Sequence, residues 1–144
     1  MSFVIREFEV SDYADLFKLN RDELGYEYPI EDTKEKLLQL SKSNHDKIYV
    51  AVSGKEIVGY VHATDYDVIY YPHMKNIMGI AVSKAWRRKG VGSALLTSIE
   101  KWARETGAKG IRLNSGSSRT EAHQFYYLHG FSGDKTQLRL MKML

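Results

Sequence analysis

The run Arg87-Arg88-Lys89-Gly90-Val91-Gly92 constrains this chain more than any other segment. It follows a short apolar stretch, Ile80-Ala81-Val82, and leads into residues with helical periodicity. A strand, a basic glycine loop and a helix start, in that order, make an anion cradle. The open N–H groups of a helix's first turn and the helix dipole favour negative charge. The glycines let backbone approach a ligand where a Cβ would clash. Four of the six residues from Lys84 to Lys89 are basic. A charge run is ordinarily a solvated helix entrance, but the adjoining Gly-x-Gly favours a cradle for a phosphorylated ligand.

The 144 residues suffice for one domain with a core, and we read 1–144 as a single domain. The hydrophobic content of 43% is that of a globular protein. Cysteine is absent, which excludes disulfides, thiolate metal sites and a cysteine nucleophile. No apolar stretch is long enough to span a bilayer, and the first residues lack the regions of a secretion signal. The expected location is cytoplasmic. A net charge of +3 is too small to argue for nucleic acid.

Residues 3–8 read as a strand. Ser11 is the expected N-cap of a helix over 12–24, and a second helix follows over 31–41. Residues 47–52 and 56–63 form a hairpin about Ser53-Gly54-Lys55. Residues 65–73 read as a loop or frayed strand ends, and 74–82 as the next strand. The clearest helix spans 90–106, with Val91, Leu95, Ile99 and Trp102 on one face and Gly107 just beyond its end. A short strand over 110–114 and a helix over 121–129 follow. Leu138 and Leu140 alternate with polar residues in a final strand over 136–143. This order describes an α/β (α+β) domain with a mixed, mostly antiparallel central sheet flanked by helices.

The cradle is not a P-loop, because Lys89 precedes Gly90 instead of following a second glycine. It is not a dinucleotide fingerprint, because Leu95 stands where a third glycine or alanine belongs and no ribose-reading acid follows. Arg87-x-x-Gly90-x-Gly92, after Ile80-Ala81-Val82 and before Leu95-Leu96, resembles the acetyl-CoA signature of the GNAT superfamily of N-acyltransferases. Ala122-x-x-Phe125-Tyr126-x-x-x-Gly130-Phe131 resembles that superfamily's later helix and strand. Residues 115–131 look most like the small-amine acetyltransferases, including those acting on aminoalkylphosphonates.

The resemblance implies acetyl-CoA as cosubstrate. The backbone of Ile80, Ala81 and Val82 would pair with the pantetheine arm. The N–H groups of Arg88, Lys89, Gly90, Val91, Gly92 and Ser93 would hold the pyrophosphate, with the Arg87, Arg88 and Lys89 side chains near phosphates or adenosine. Arg119 stands where many relatives have asparagine; it reads equally as a cofactor or substrate contact and as a surface arginine. Tyr126 occupies the position of the general acid. A phenol of pKa about 10 can donate to a thiolate whose conjugate acid lies near about 8.5.

Acetyl transfer needs a neutral amine, a stabilised oxyanion and a protonated or tolerated thiolate. Direct attack without a covalent enzyme intermediate agrees with the absence of cysteine and of a G-x-S-x-G elbow. A backbone N–H near Ile80 to Val82 would polarise the thioester carbonyl, a donor worth roughly 3–4 kcal/mol. Many relatives carry a glutamate base in the strand before the loop, whereas Asn76-Ile77-Met78-Gly79-Ile80 holds no carboxylate. Water, Asp65, Asp67 and His73 are the alternatives. His62, Asp65 and His73 match no standard metal spacing, so no metal site is expected.

Tyr26, Tyr28, Tyr66, Tyr70 and Tyr71 lie among the acids Asp22, Glu23, Glu27, Asp65 and Asp67. Aromatics with acids suit a cationic amine, and equally a capped core with solvated acids; both segments would also suit a homodimer contact. Tyr26, Tyr28, Asp65, Tyr66, Asp67 and His73 are the candidate substrate residues. The leading function is acetyl transfer to the primary amine of a small molecule, with no nucleic-acid or membrane partner. A noncatalytic acyl-CoA-binding module, or acetylation of a protein N-terminus or lysine, are the alternatives.

Overall fold

Strands β1 (Val4–Glu7), β2 (Asp46–Ser53), β3 (Glu56–Tyr66) and β4 (Met74–Val82) form an antiparallel meander in the computed structural model, which describes residues 2–133 and 135–144. β5 (Gly110–Leu113) joins β4 in parallel, giving the order β1-β2-β3-β4-β5. Helices α1 (Tyr13–Leu24) and α2 (Ile30–Leu40) connect β1 to β2, and α3 (Val91–Glu105) connects β4 to β5. The chain forms two compact units, Met1–Leu113 and Asn114–Leu144. The second holds α4 (Thr120–Leu128). Among the described residues no helix is long and apolar enough to cross a membrane.

Period-two alternation divides the first unit's sheet into two faces. Tyr60 of β3, Ile48 and Val50 of β2 and Ala81 of β4 share a buried cluster with Leu16 and Leu19 of α1 and Leu37 of α2. The opposite face receives α3. Its apolar stripe, Val91, Leu95, Leu96, Ile99, Trp102 and Ala103, is buried as its periodicity requires. Gly59 permits that approach: a Cβ there would lie 3.0 Å from Val91 Cγ1 and 3.1 Å from the Ala81 carbonyl oxygen. Each fully buried aliphatic side chain of such a stripe contributes about 1.5–3 kcal/mol.

Three details differ from the sequence reading. Ser11 does not cap the first helix. A short 3-10 turn, Val10–Asp12, precedes α1, and Asp12 accepts the Glu9 N–H at 2.8 Å and two bonds from Arg6 at 2.9 Å. Arg6 thereby ties β1 to the helix entrance. Asp65 and Tyr66 continue β3, pairing with Lys75 and Met74, so they obey strand alternation instead of lying in a loop. The expected strand over 136–143 is not formed. Leu138, Leu140 and Met143 are 86%, 84% and 83% exposed. Alternation makes a segment amphipathic, but a strand is stable only when a neighbour completes its hydrogen bonds, and the described sheet contains five strands without it.

Candidate active site

The loop between β4 and α3 has the geometry of the expected cradle. After the 3-10 turn Lys84–Trp86, Arg87 is extended, Arg88 takes φ 61°, and Gly90 takes φ 85° as the N-cap of α3. Arg88 is the one non-glycine at positive φ among the described residues. That conformation costs roughly 1–2 kcal/mol for an L residue. Gly90 provides no side chain to cap α3, so the helix's positive end is left to an external acceptor. Buried Trp86, set edge-on to Phe3 with ring centroids 6.3 Å apart, anchors the loop.

Arg87 does not float free in this loop. Its Nη2 lies 3.2 Å from Glu23 Oε2 of α1, and the Lys84 N–H donates to Glu23 Oε1 at 3.3 Å. Glu23, one of the acids grouped with the tyrosines, therefore braces the cradle. Arg88 and Lys89 are exposed.

β4 supplies a second feature. It pairs with β5 only over Met74–Ile77, while its pairing with β3 continues to Val82. Beyond Ile77 the strand is therefore paired on the β3 side only, among the described residues. Ile80, Ala81 and Val82 lie on this half-open stretch, available to an extended polar arm in the manner of an added strand.

On the α1/α2 face a cavity of about 150 Å3 is lined by residues that include Leu16, Asn20, Tyr28, Thr33, Lys36, Tyr60 and His62. Tyr60 donates to Asn20 Oδ1 at 2.5 Å, and burial pushes its phenol up to about 12. Its hydroxyl would lie 3.1 Å from a Cβ at Gly79, so the absence of a side chain there is what lets the hydroxyl occupy that place. His62 Nε2 lies 2.7 Å from Asp46 Oδ1, with both side chains largely buried. Burial alone would raise the Asp46 carboxyl; bonds from Ser43 and His62 outweigh it and hold the group below its ordinary value.

The candidate substrate residues do not converge. Tyr28 lines the cavity and is half-exposed, and Tyr26 is exposed nearby in sequence. Tyr66 stacks beneath the Arg112 guanidinium, whose carbon is 4.1 Å from the ring centroid, and its hydroxyl meets that of Tyr70 at 3.3 Å. The ring thus already holds a cation. Asp67 is exposed.

Asp65 and His73 belong to the α3 face. Asp65 accepts from Lys75 Nζ at 2.5 Å and pairs with His73 Nε2 at 2.8 Å and His45 Nδ1 at 2.9 Å. Lys75 is 1% exposed, and its ammonium sits 3.7 Å from the Trp102 ring centroid. Burial would raise the Asp65 carboxyl, but these three partners together hold it far below the usual carboxylate range. A carboxylate so engaged is a poor proton acceptor.

In the second unit Tyr126 is buried on α4, between Phe125 at 5.5 Å and Phe131 at 5.7 Å. Burial raises its phenol, opposed by the charge of Arg119, so the hydroxyl remains a proton donor at neutral pH. Arg119 is exposed at the N-cap of α4. His123 Nε2 lies 2.8 Å from the Gly116 carbonyl, a bond that closes the loop before this helix.

Sequence reasoning had passed over the pairing of His62 with Asp46. A count along an unbroken hairpin would not have revealed it: from Ser53↔Glu56 it sets Ile48 opposite Val61 and sends Asp46 and His62 to opposite faces. The bulge between Ala51 and Val52 shifts the register by one, bringing Ile48 opposite His62 and Asp46 opposite Thr64, one diagonal step from the imidazole.

A cradle at a helix start without a side-chain cap, a half-paired strand leading into it and a cavity on the α1/α2 face of the sheet make up the candidate site. Residues 13–131 match the Acetyltransferase (GNAT) family. Streptothricin acetyltransferase A of Bacillus subtilis (strain 168) is 42% identical over 55 residues, 38% of this chain and 32% of that protein. The match thus spans under a third of that relative's length. The crystal structure of a transcriptional regulator from Bacillus halodurans C-125 superposes with a TM-score of 0.90 at 25% identity, covering 98% of this chain and 100% of that one. AAC(6')-Iy in complex with the bisubstrate analogue CoA-S-monomethyl-acetylneamine gives a TM-score of 0.87 at 16% identity, covering 100% of both chains. At 16% identity the latter is a likeness of fold. The chain belongs to the acetyltransferase (GNAT) family.

Proposed function

We infer that this protein transfers the acetyl group of acetyl-CoA to the primary amine of a small molecule. The observation that carries this reading is the coincidence of the uncapped Gly90 helix start with the half-paired Ile80–Val82 stretch that feeds it. In this account the loop N–H groups from Arg88 to Ser93 hold the pyrophosphate and β4 holds the pantetheine arm. The amine attacks the thioester carbonyl directly, and Tyr126 protonates the departing thiolate. The matched residues 13–131 include parts of both compact units, which supports treating 1–144 as one catalytic domain.

The cavity narrows the acceptor. Its lining carries Lys36 and no carboxylate side chain. Asp22 is paired with Arg21 and Glu23 with Arg87. A strongly polycationic acceptor would find little charge to meet it there, whereas a small molecule with a single reactive amine suits the lining. A cytoplasmic location is part of this reading. The exposed Leu138 and Leu140 are compatible with a homodimer, which size-exclusion chromatography with light scattering would test.

The test is thiol release from acetyl-CoA with a panel of small amines, peptides and no acceptor. Release that depends on a small amine is the expected result; tight acetyl-CoA binding without acceptor-dependent release would mark a noncatalytic binding module. Tyr126→Phe is expected to lower kcat by one to two orders of magnitude, roughly the lower range of acid catalysis, with acetyl-CoA still bound. Unchanged turnover under rate-limiting chemistry would remove Tyr126 from the acid role.

A further inference from the structure

We propose that His62 accepts the proton of the attacking amine and that Asp46 positions it, an assignment that rests on the acetyl-transfer reading above. The cavity brings four titratable side chains together: Tyr28, Lys36, Tyr60 and His62. Asp46 stands behind the last of them. Tyr60 is held protonated by burial and spends its hydrogen on Asn20. Lys36 is an exposed ammonium, with three donors and no acceptor. Tyr28 is a half-exposed phenol at the rim. His62 alone offers this space an imidazole lone pair.

The partner decides which nitrogen carries it. Asp46 is a carboxylate and accepts only, so neutral His62 donates from Nε2 and keeps its lone pair on Nδ1. Among the described residues Nδ1 has no hydrogen-bond partner. Asp46 is itself fixed by Ser43 Oγ at 2.7 Å. This is a base oriented by a third group, the arrangement proton abstraction requires.

Position agrees with the role. His62 pairs with Gly79, the residue before the Ile80-Ala81-Val82 stretch. The β3–β4 bulge at this point leaves its extra residue, Met78, on β4, so β3 keeps its alternation and His62 stays on the face of Tyr60. β4, Met74–Val82, carries no carboxylate that would compete for the task.

In the step, the ammonium acceptor gives one proton to His62 Nδ1. The freed nitrogen lone pair attacks the thioester carbonyl carbon, forming the C–N bond. Collapse breaks the C–S bond, and the second proton shed by nitrogen ends on the thiolate sulfur as CoA thiol. His62 returns its proton to solvent. The balance is one ammonium and one acetyl thioester giving one amide, one thiol and one proton.

The experiment compares wild type, His62→Gln, His62→Ala and Asp46→Asn for amine-dependent thiol release across pH, with acetyl-CoA affinity by calorimetry and folding by circular dichroism. His62→Gln is expected to lose about a hundredfold in kcat/KM, to bind acetyl-CoA as wild type does, and to lose the acid limb of the pH profile. Added imidazole restores part of the His62→Ala rate. Asp46→Asn is expected to lower kcat with KM little changed, because the imidazole is still present but no longer held in place. A folded His62→Gln within about threefold of wild type in kcat/KM, or a folded His62→Ala that imidazole does not rescue, overturns the assignment. A wild type that releases no thiol with any amine fails at the acetyl-transfer reading itself, and the role of His62 falls with it.

Discussion

On the α3 face Asp65 is gripped by Lys75, His45 and His73, and the Lys75 ammonium is shut beneath Trp102. On the α1/α2 face Asp46 takes one histidine, and that histidine lines a cavity. The residue types are nearly the same and both sites lie on β2–β4, yet their chemistry diverges. In the first cluster a buried cation saturates the aspartate, and all members serve one another. In the second the aspartate orients an imidazole whose other nitrogen has no hydrogen-bond partner among the described residues. Reactivity here is decided by whether a titratable group has an open side, more than by which residues surround it.

The sharpest way to break this contrast is Lys75→Met. Removing one partner of a buried pair leaves Asp65 with histidines alone, and the expected loss is about 3 kcal/mol, read by urea unfolding. The folded fraction should keep its kcat/KM. A catalytic defect without loss of stability would make the α3-face cluster part of the active site.

The same cluster sets an acid dependence. The folded pKa of Asp65 lies below its unfolded value. Its stabilisation is therefore complete above the unfolded carboxylate range, near about pH 4, and is lost as pH falls through the folded value. Asp12 and Asp46 shift in the same direction and share that acid limb. Stability measured against pH should decline less steeply in Asp65→Asn than in wild type as pH drops below about 4. Parallel curves would mean the carboxylate is not held as described.

Gly90→Ala is the smallest expected effect. At φ 85° an alanine costs about 1 kcal/mol of backbone strain. Nothing lies within 4 Å of the added Cβ, so the fold itself should survive. Acetyl-CoA affinity by calorimetry should fall by roughly tenfold or less, with the contrast between the two faces untouched.

Much of this arrangement was legible in the chain. β4 runs over Met74–Val82 as expected, and α3 is bounded by Gly90 and by Gly107 at φ 78°. Strong periodicity and glycine stops fix such elements locally. Faces were harder to read. Asp65 and His73 were grouped with Tyr28 because 65–73 looked like a loop. Once Asp65 is seen to continue β3, alternation sends it with Val61 and Ala63, away from Tyr60 and His62. The C-terminal alternation of Leu138 and Leu140 was genuine, but a pattern within one segment carries no information about a partner edge.

The most direct measurement is amine-dependent thiol release from acetyl-CoA by wild type, His62→Gln and His73→Gln side by side. The account predicts release that requires an amine, about a hundredfold loss of kcat/KM in His62→Gln, and a folded His73→Gln that turns over like wild type. Release indifferent to the amine, or equal losses in the two variants, would contradict it.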